Sequence, residues 1–538
     1  MKVPFLAFNA RNGTFMAPAG GVGGQGCEAG RVGLTRRTFL HAAGFGAAAA
    51  ALSACTPSGS GAPPSSGTTP PPTTSSAAVP PDWPKLRSSL AGKLFLPEDE
   101  GYGTAKLAYN PLFDSRTPAA VASCARPEDV QACVGVAASS RIPIAARSGG
   151  HSYAGYSTPD HGLVVDLGGM KGVEVRADGT AVIGAGARLI EVYSALADQG
   201  RCLPGGSCPT VGIAGLTLGG GVGVLTRKFG LTCDRLVSAQ VVTPDGHLRT
   251  ASADSEPDLY WALRGGGGGN LGIVTSFTFS TEPAPQLTVF QLHFPGGSVA
   301  EVLGGWQSFT ADAPDELWST LAVSGGTPPT SRVTGCYVGS ASGLAPLLNS
   351  LIAKTGAQPT SRYVQGKSYL EAMLWFGGCS GKPVAQCKPS WSGSGALGRE
   401  SFVATSRVLT KPLDDPAQLA SLMRGRTGMD VLIDSLGGAV NRVGAGDTAF
   451  PYRSALATAQ VYQGATAASA RSAGQTVGEV RGQLGDLFGA NGYVNYIDPD
   501  MPDWAGAYYA GNLARLRQVA RKYDPDGMFA FAQGLTKA

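Results

Sequence analysis

Charge is scarce in this sequence. Lys, Arg, Asp and Glu make up 15% of the 538 residues, against roughly 25% in ordinary soluble domains. The net charge is only +4. Residues 1–54 hold five basic groups and one acidic group, so the rest of the chain is formally neutral. That balance gives no nucleic-acid partner any purchase. Histidine is rare, at five residues. No Cys-x-x-Cys occurs and no histidines cluster beside the cysteines, so no zinc or other metal site is expected. The apolar run from Ala42 to Ala54 spans 13 residues, short of the ~20 needed to cross a bilayer. Gly-x-Gly-x-x-Gly occurs at Gly21, Gly267 and Gly393. None of the three has the strand–turn–helix context of a dinucleotide fingerprint, so a Rossmann domain is not expected.

Glycine, by contrast, is abundant, at 78 residues without a Gly-X-Y period, which excludes collagen. A hydrophobic share of 43% excludes disorder for most of the chain. The length predicts two or three domains. Thr35-Arg36-Arg37-Thr38-Phe39-Leu40 looks like a twin-arginine export signal. The following Ala/Gly run suits a signal h-region. Its end, Leu52-Ser53-Ala54-Cys55, resembles a lipobox, whose Cys is acylated after cleavage. A buried Ala-rich helix is the alternative. Residues 56–81 are almost wholly Pro, Ser, Thr, Gly and Ala and read as a solvated tether. Export machinery is thus an expected partner, membrane contact is expected only through the lipid anchor, and the location is outside the cytoplasmic membrane. Export permits disulfides, and Cys379–Cys387, in a Gly-rich loop, is the favoured pair.

Three glycine clusters carry the chemistry. A short apolar strand from Ile142 runs into Arg147-Ser148-Gly149-Gly150-His151-Ser152-Tyr153. Adjacent glycines allow a tight turn whose bare N–H groups suit a pyrophosphate. The second cluster runs from Gly205 through Cys208, Gly212, Gly215, Gly220 and Gly223. Such backbone reads as a poor helix that approaches something closely. The third is Gly265 to Gly269, followed by Gly272-Ile273-Val274. The densest runs are where backbone is expected to lie close against another group.

In this order the three blocks resemble the FAD-binding domain of the vanillyl-alcohol oxidase superfamily. The closer likeness is to its berberine-bridge-enzyme-like branch. The C-terminal run Tyr493-Val494-Asn495-Tyr496-Ile497-Asp498 and Tyr523-Asp524-Pro525 is similar to that branch too. The resemblance covers about residues 84–538. It implies FAD as cofactor, bound bicovalently through His151 and Cys208. For Cys208 a buried thiol or a disulfide with Cys202 is the alternative. It implies Tyr496 as the base, Tyr493 and Asn495 nearby, and Tyr153 and Gln460 as further pocket candidates. Read as a regular strand, 493–496 puts Tyr493 and Asn495 on one face and Tyr496 on the other. Val211 sits where the branch gates oxygen, and Val there implies an oxidase that reduces O2 to H2O2.

The fold class implied is α+β: a two-subdomain PCMH-type FAD-binding domain plus a substrate domain with an antiparallel sheet and flanking helices. The expected order is export signal 1–55, tether 56–83, FAD-binding domain 84–285, substrate domain 286–489, and a C-terminal segment 490–538 that returns to the FAD domain. A helix is expected over Glu128–Ser140 and strands over Thr288–Phe294 and Ser401–Leu409. The substrate is a small-molecule alcohol or carbohydrate, on which Trp306, Trp318, Trp375 or Trp391 could stack if they are not core. The remaining histidines read as signal, surface or core residues. Two further readings stand beside the oxidase: a flavin dehydrogenase or cyclising enzyme of secondary metabolism, and a non-enzymatic exported flavin- or ligand-binding lipoprotein.

Overall fold

The computed structural model describes residues 79–391 and 395–536. The twin-arginine motif, the apolar run, Cys55 and residues 56–78 of the tether lie outside the described residues. The first helix, Trp83–Ser89, begins within the expected tether end. Pro84 sits in its first turn and the Asp82 side chain accepts from the Lys85 N–H.

Two sheets form from the first half. Strands β1 (Lys93–Phe95), β2 (Ala120–Ser123), β3 (Ile144–Arg147) and β4 (Leu163–Asp166) order as β1-β2-β4-β3. The pairs β2–β4 and β3–β4 are parallel. The helix Pro127–Ser140 follows β2, as a parallel arrangement requires of a crossover. The second sheet contains β5 (Val173–Val175), β6 (Thr180–Gly184), β8 (Leu236–Val242), β9 (Leu248–Ser252) and β10 (Ile273–Ser280), ordered β5-β6-β10-β8-β9. A small ribbon pairs β7 (Arg201–Cys202) with β11 (Glu282–Pro283).

A seven-stranded antiparallel sheet follows. It contains β12 (Leu287–His293), β13 (Leu317–Ser324), β14 (Thr330–Val338), β15 (Ser361–Lys367), β16 (Phe402–Leu409), β17 (Met429–Ser435) and β18 (Ala457–Gly464). Their order is β15-β12-β14-β13-β17-β18-β16. Period-two alternation splits its faces. Phe290, Leu292, Leu321, Val333, Ile433 and Val461 point into one apolar cluster with residues of the helices Val299–Asp312, Ala341–Thr355 and Ala470–Phe488. The other face presents Thr320, Asp434, Gln460 and Tyr462 to a cavity. The C-terminal helices Trp504–Tyr509 and Leu513–Tyr523 pack back into the core of the first half, where Tyr509 and Leu516 join Leu259 and Trp261. The architecture is α+β.

Two local expectations change. Residues 493–496 form no strand. Val494–Tyr496 is a 3-10 turn closed by the Tyr496 N–H onto the Tyr493 carbonyl. The segment touches β16 through the Ser406 hydroxyl, which accepts from the Tyr493 N–H and bonds its carbonyl. A side chain thus takes the place of a backbone ladder. Within the glycine-rich second cluster, Ile213–Leu218 is a short helix, since Gly215 is its sole glycine. Cys379 and Cys387 form a disulfide, while Cys202 and Cys208 are free thiols. Trp306 and Trp375 are core residues, Trp318 reaches the cavity, and Trp391 lies against Tyr109.

Candidate active site

A cavity of about 400 Å³ lies between the glycine-rich segments and the polar face of the seven-stranded sheet. The turn after β3 forms part of its wall. Arg147 anchors that turn from behind: its guanidinium pairs with Asp166 at 2.6 Å and donates to the Ala105 and Leu107 carbonyls. Arg147 therefore holds the turn without facing the cavity. Beyond it, the N–H groups of Gly149, Gly150, His151 and Ser152 donate to no acceptor among the described residues. Four free donors in one turn make an anion cradle. Farther along, the Tyr156 hydroxyl and Ser157 Oγ line the cavity, buried and without a partner. Such orphans fit a polar ligand. A Cβ on Gly215 would meet no atom within 4 Å, leaving an open face to the cavity. The donor set thus fits FAD: backbone N–H groups for a pyrophosphate, polar side chains along its length, and close backbone.

The glycines divide into two kinds. Gly149 and Gly212 let two loops touch, since a Cβ on Gly212 would lie 2.1 Å from Ser148 Oγ and 2.2 Å from the Gly149 nitrogen. Gly223 similarly admits the Gly205 carbonyl, and Gly272 the Val242 carbonyl. Gly220 faces Phe450, and Ile273 is buried in the core; neither lines the cavity. Many of these glycines are therefore demanded by protein packed on protein. Gly149, Gly212, Gly223 and Gly272 nevertheless line the cavity too, with Ser148, Gly150, Ser152, Gly215, Val274 and Asn495.

His151 and Cys208 come together on one hydroxyl. Thr210 Oγ1 lies 2.9 Å from His151 Nε2 and 3.5 Å from Cys208 Sγ. The His151 ring stacks on Tyr109 with centroids 3.8 Å apart. Burial, and then the positive charge of Arg188, depress the imidazole pKa to about 3, so the ring is neutral and nucleophilic at physiological pH. Burial pushes the Cys208 thiol up, and the Thr210 hydroxyl partly offsets this. Thr210 had no signal in the sequence beyond its place two residues after Cys208. Val211 lines the same cavity.

Across the cavity stand the tyrosines. Tyr496 stacks on Tyr153 at 5.6 Å, and its hydroxyl donates to Asp434 Oδ2 at 3.3 Å. Gln460 Nε2 donates to the Tyr153 hydroxyl at 2.6 Å. Asp434 was not foreseen. β17 carries two acids, Asp430 and Asp434, on either side of Val431-Leu432-Ile433, and nothing in the sequence singles out the second. Burial raises its carboxyl to about 6, against the hydrogen bond from Tyr496. Tyr493 does not line the cavity. Its hydroxyl accepts from the Gly221 and Val222 N–H groups at 3.0 and 3.2 Å and from Asn495 Nδ2 at 2.9 Å. Tyr493 is thus a brace for the glycine loop. Tyr493 and Asn495 do share a side, as alternation had them, although the strand is absent.

The sequence matches two family models: a FAD binding domain over residues 118–252, and berberine and berberine like over residues 492–536. An uncharacterized FAD-linked oxidoreductase of Bacillus subtilis, YgaK, is 34% identical over 456 residues, 84% of this chain and 98% of that protein. The xylooligosaccharide oxidase of Thermothelomyces thermophilus is 34% identical, over 78% of this chain and 88% of its own. Among solved structures, Physcomitrella patens BBE-like 1 superposes with a TM-score of 0.79 at 30% identity, covering 85% of this chain and 99% of that one.

Proposed function

Because the chain belongs to the berberine-bridge-enzyme-like FAD-linked oxidoreductases, we propose that it oxidises a CH–OH group of a carbohydrate or related alcohol, with O2 as final acceptor and H2O2 as product. The observation that carries this is the Tyr496–Asp434 pair, set in the same cavity as His151 and Cys208. Relatives named as xylooligosaccharide, chitooligosaccharide and glucooligosaccharide oxidases support a sugar substrate.

Bound FAD supplies the hydride acceptor and the route for electrons to oxygen. Everything else is work for the chain. Burial lifts the Tyr496 hydroxyl well above its ordinary range, so a free tyrosinate is costly there. Tyr496 accepts the substrate hydroxyl proton only by passing its own to Asp434. Asp434, with its pKa near 6, is mostly ionised at neutral pH and ready to receive it. Gln460 orients Tyr153, and Tyr153 holds the Tyr496 ring by stacking. His151 and Cys208 are the proposed covalent attachment points, with Val211 leaving room for oxygen. Export and lipid anchoring at Cys55 belong to the same proposal.

The experiment is to purify the flavoprotein, denature it in acid, and screen sugars and alcohols for peroxide in air. Yellow colour retained by the precipitate and peroxide from a sugar are the expected results. Fast reduction of an artificial dye with air reoxidation over many minutes would instead mark a dehydrogenase. A folded protein without flavin would overturn the enzyme altogether.

A further inference from the structure

One carboxylate in the cavity wall has no counter-charge among the described residues. Glu400 lies just ahead of β16 and lines the cavity. Its Oε2 accepts from the Tyr462 hydroxyl at 3.1 Å. Burial pushes its carboxyl above the ordinary carboxylate range. The adjacent Arg399 does not neutralise it. That guanidinium is bound in a two-point pair to Asp114 and donates to the Ala108 carbonyl. Among the described residues no Lys or Arg lines this cavity.

Aromatic rings stand around the carboxylate. Phe402 stacks on Tyr462 with centroids 4.6 Å apart, and Tyr153 meets Phe402 edge-on at 5.0 Å. Tyr109 is tilted against Phe402 at 6.5 Å. A carboxylate enclosed by rings, with no cation of its own, has the chemistry of an ammonium site. The carboxylate offers an ammonium a charge-assisted hydrogen bond, and the apolar ring edges around it keep that bond away from water. A neutral hydroxyl there satisfies the hydrogen bond but leaves the charge uncompensated. Tyr153 ties this corner to the reactive one, since the same ring stacks on Tyr496. A single sugar can therefore present a CH–OH to Tyr496 and another group to Glu400. A second acid, Asp434, faces the same space, so anionic substrates meet repulsion from both ends.

We propose that Glu400, walled by Tyr109, Phe402 and Tyr462, binds the ammonium group of an amine-bearing saccharide, so that the cavity prefers amino sugars to neutral sugars and rejects sugar acids. This rests on the sugar-oxidising reading of the cavity.

The test uses the holoenzyme at pH 7 and four probes: glucosamine, glucose, N-acetylglucosamine and glucuronate. Calorimetric titration reads binding without turnover, and peroxide release reads oxidation. Glucosamine is expected to bind about tenfold more tightly than glucose, as one desolvated cation contact supplies, with glucuronate weakest. Glu400→Gln is expected to erase the preference, bringing the glucosamine-to-glucose affinity ratio from about tenfold to about one. Equal affinities for glucosamine and glucose, no binding of glucosamine, or an unchanged preference in the variant would overturn the proposal. If the variant does not fold, wild-type protein decides. Acetylation keeps the nitrogen and removes its charge, so N-acetylglucosamine must lose the advantage, and its keeping the advantage overturns the proposal. Binding in the expected order without peroxide would sink the oxidase reading and leave the ammonium site standing. Peroxide from all four sugars alike, with equal affinities, would do the reverse.

Discussion

In the proposed reaction, Asp434 sets the acid side. It must be ionised to take the proton from Tyr496, and burial holds its carboxyl near 6. For a base that works deprotonated, kcat/KM climbs with pH through that value and levels off by about pH 7. Asp434→Asn should remove this limb and cut kcat by about 10²- to 10⁴-fold, as pH–rate profiles of the two proteins will show. Thr210 has a different duty. Its hydroxyl holds His151 by Nε2 and approaches Cys208, which leaves the other imidazole nitrogen free to bond carbon. Thr210→Val should therefore lower acid-stable flavin by about tenfold, the effect of losing one ~1.4 kcal/mol hydrogen bond. Thr210→Ser should restore it. In-gel flavin fluorescence after acid denaturation measures both.

Gly212 and Gly215, at the start of the helix Ile213–Leu218, both line the cavity, but only Gly212 is also pressed by a second loop. A Cβ on Gly212 collides with Ser148 and Gly149, whereas one on Gly215 meets nothing within 4 Å. Gly212→Ala should force the two loops apart and cost about 1–3 kcal/mol, seen as a lower Tm. Gly215→Ala should keep the wild-type Tm and lose flavin occupancy. Thermal melts and flavin-to-protein absorbance ratios distinguish the two. Elements of this kind also mark what the sequence could reveal. The helix after β2 and the strands β12 and β16 were legible because their periodicity is long and regular. The glycine clusters announced close approach but not its partner, since a missing side chain looks the same whether protein or ligand fills the gap. Residues 493–496 read as a strand because alternation ignores who receives the hydrogen bonds, here Ser406. Asp434 and Glu400 were invisible as site residues because strands distant in sequence bring them to one cavity.

At the scale of the whole molecule, no helix among the described residues is long and apolar enough to cross a membrane. Cys55 is the proposed point of membrane attachment. Cys55→Ser should move the protein from the membrane fraction to the soluble fraction without loss of folding, measured by fractionation and flavin content. Equal membrane retention would exclude the acyl anchor. The brace described at Tyr493 has a consequence in time. Its hydroxyl fastens the glycine loop at Gly221 and Val222, and its backbone fastens β16 through Ser406. A ribosome reaches this residue only after both of those partners have already emerged. The nascent chain consequently carries an unfinished pocket until its last tenth is made. A chain that stops short of Tyr493 leaves the ribosome with nothing to fasten the glycine loop to β16.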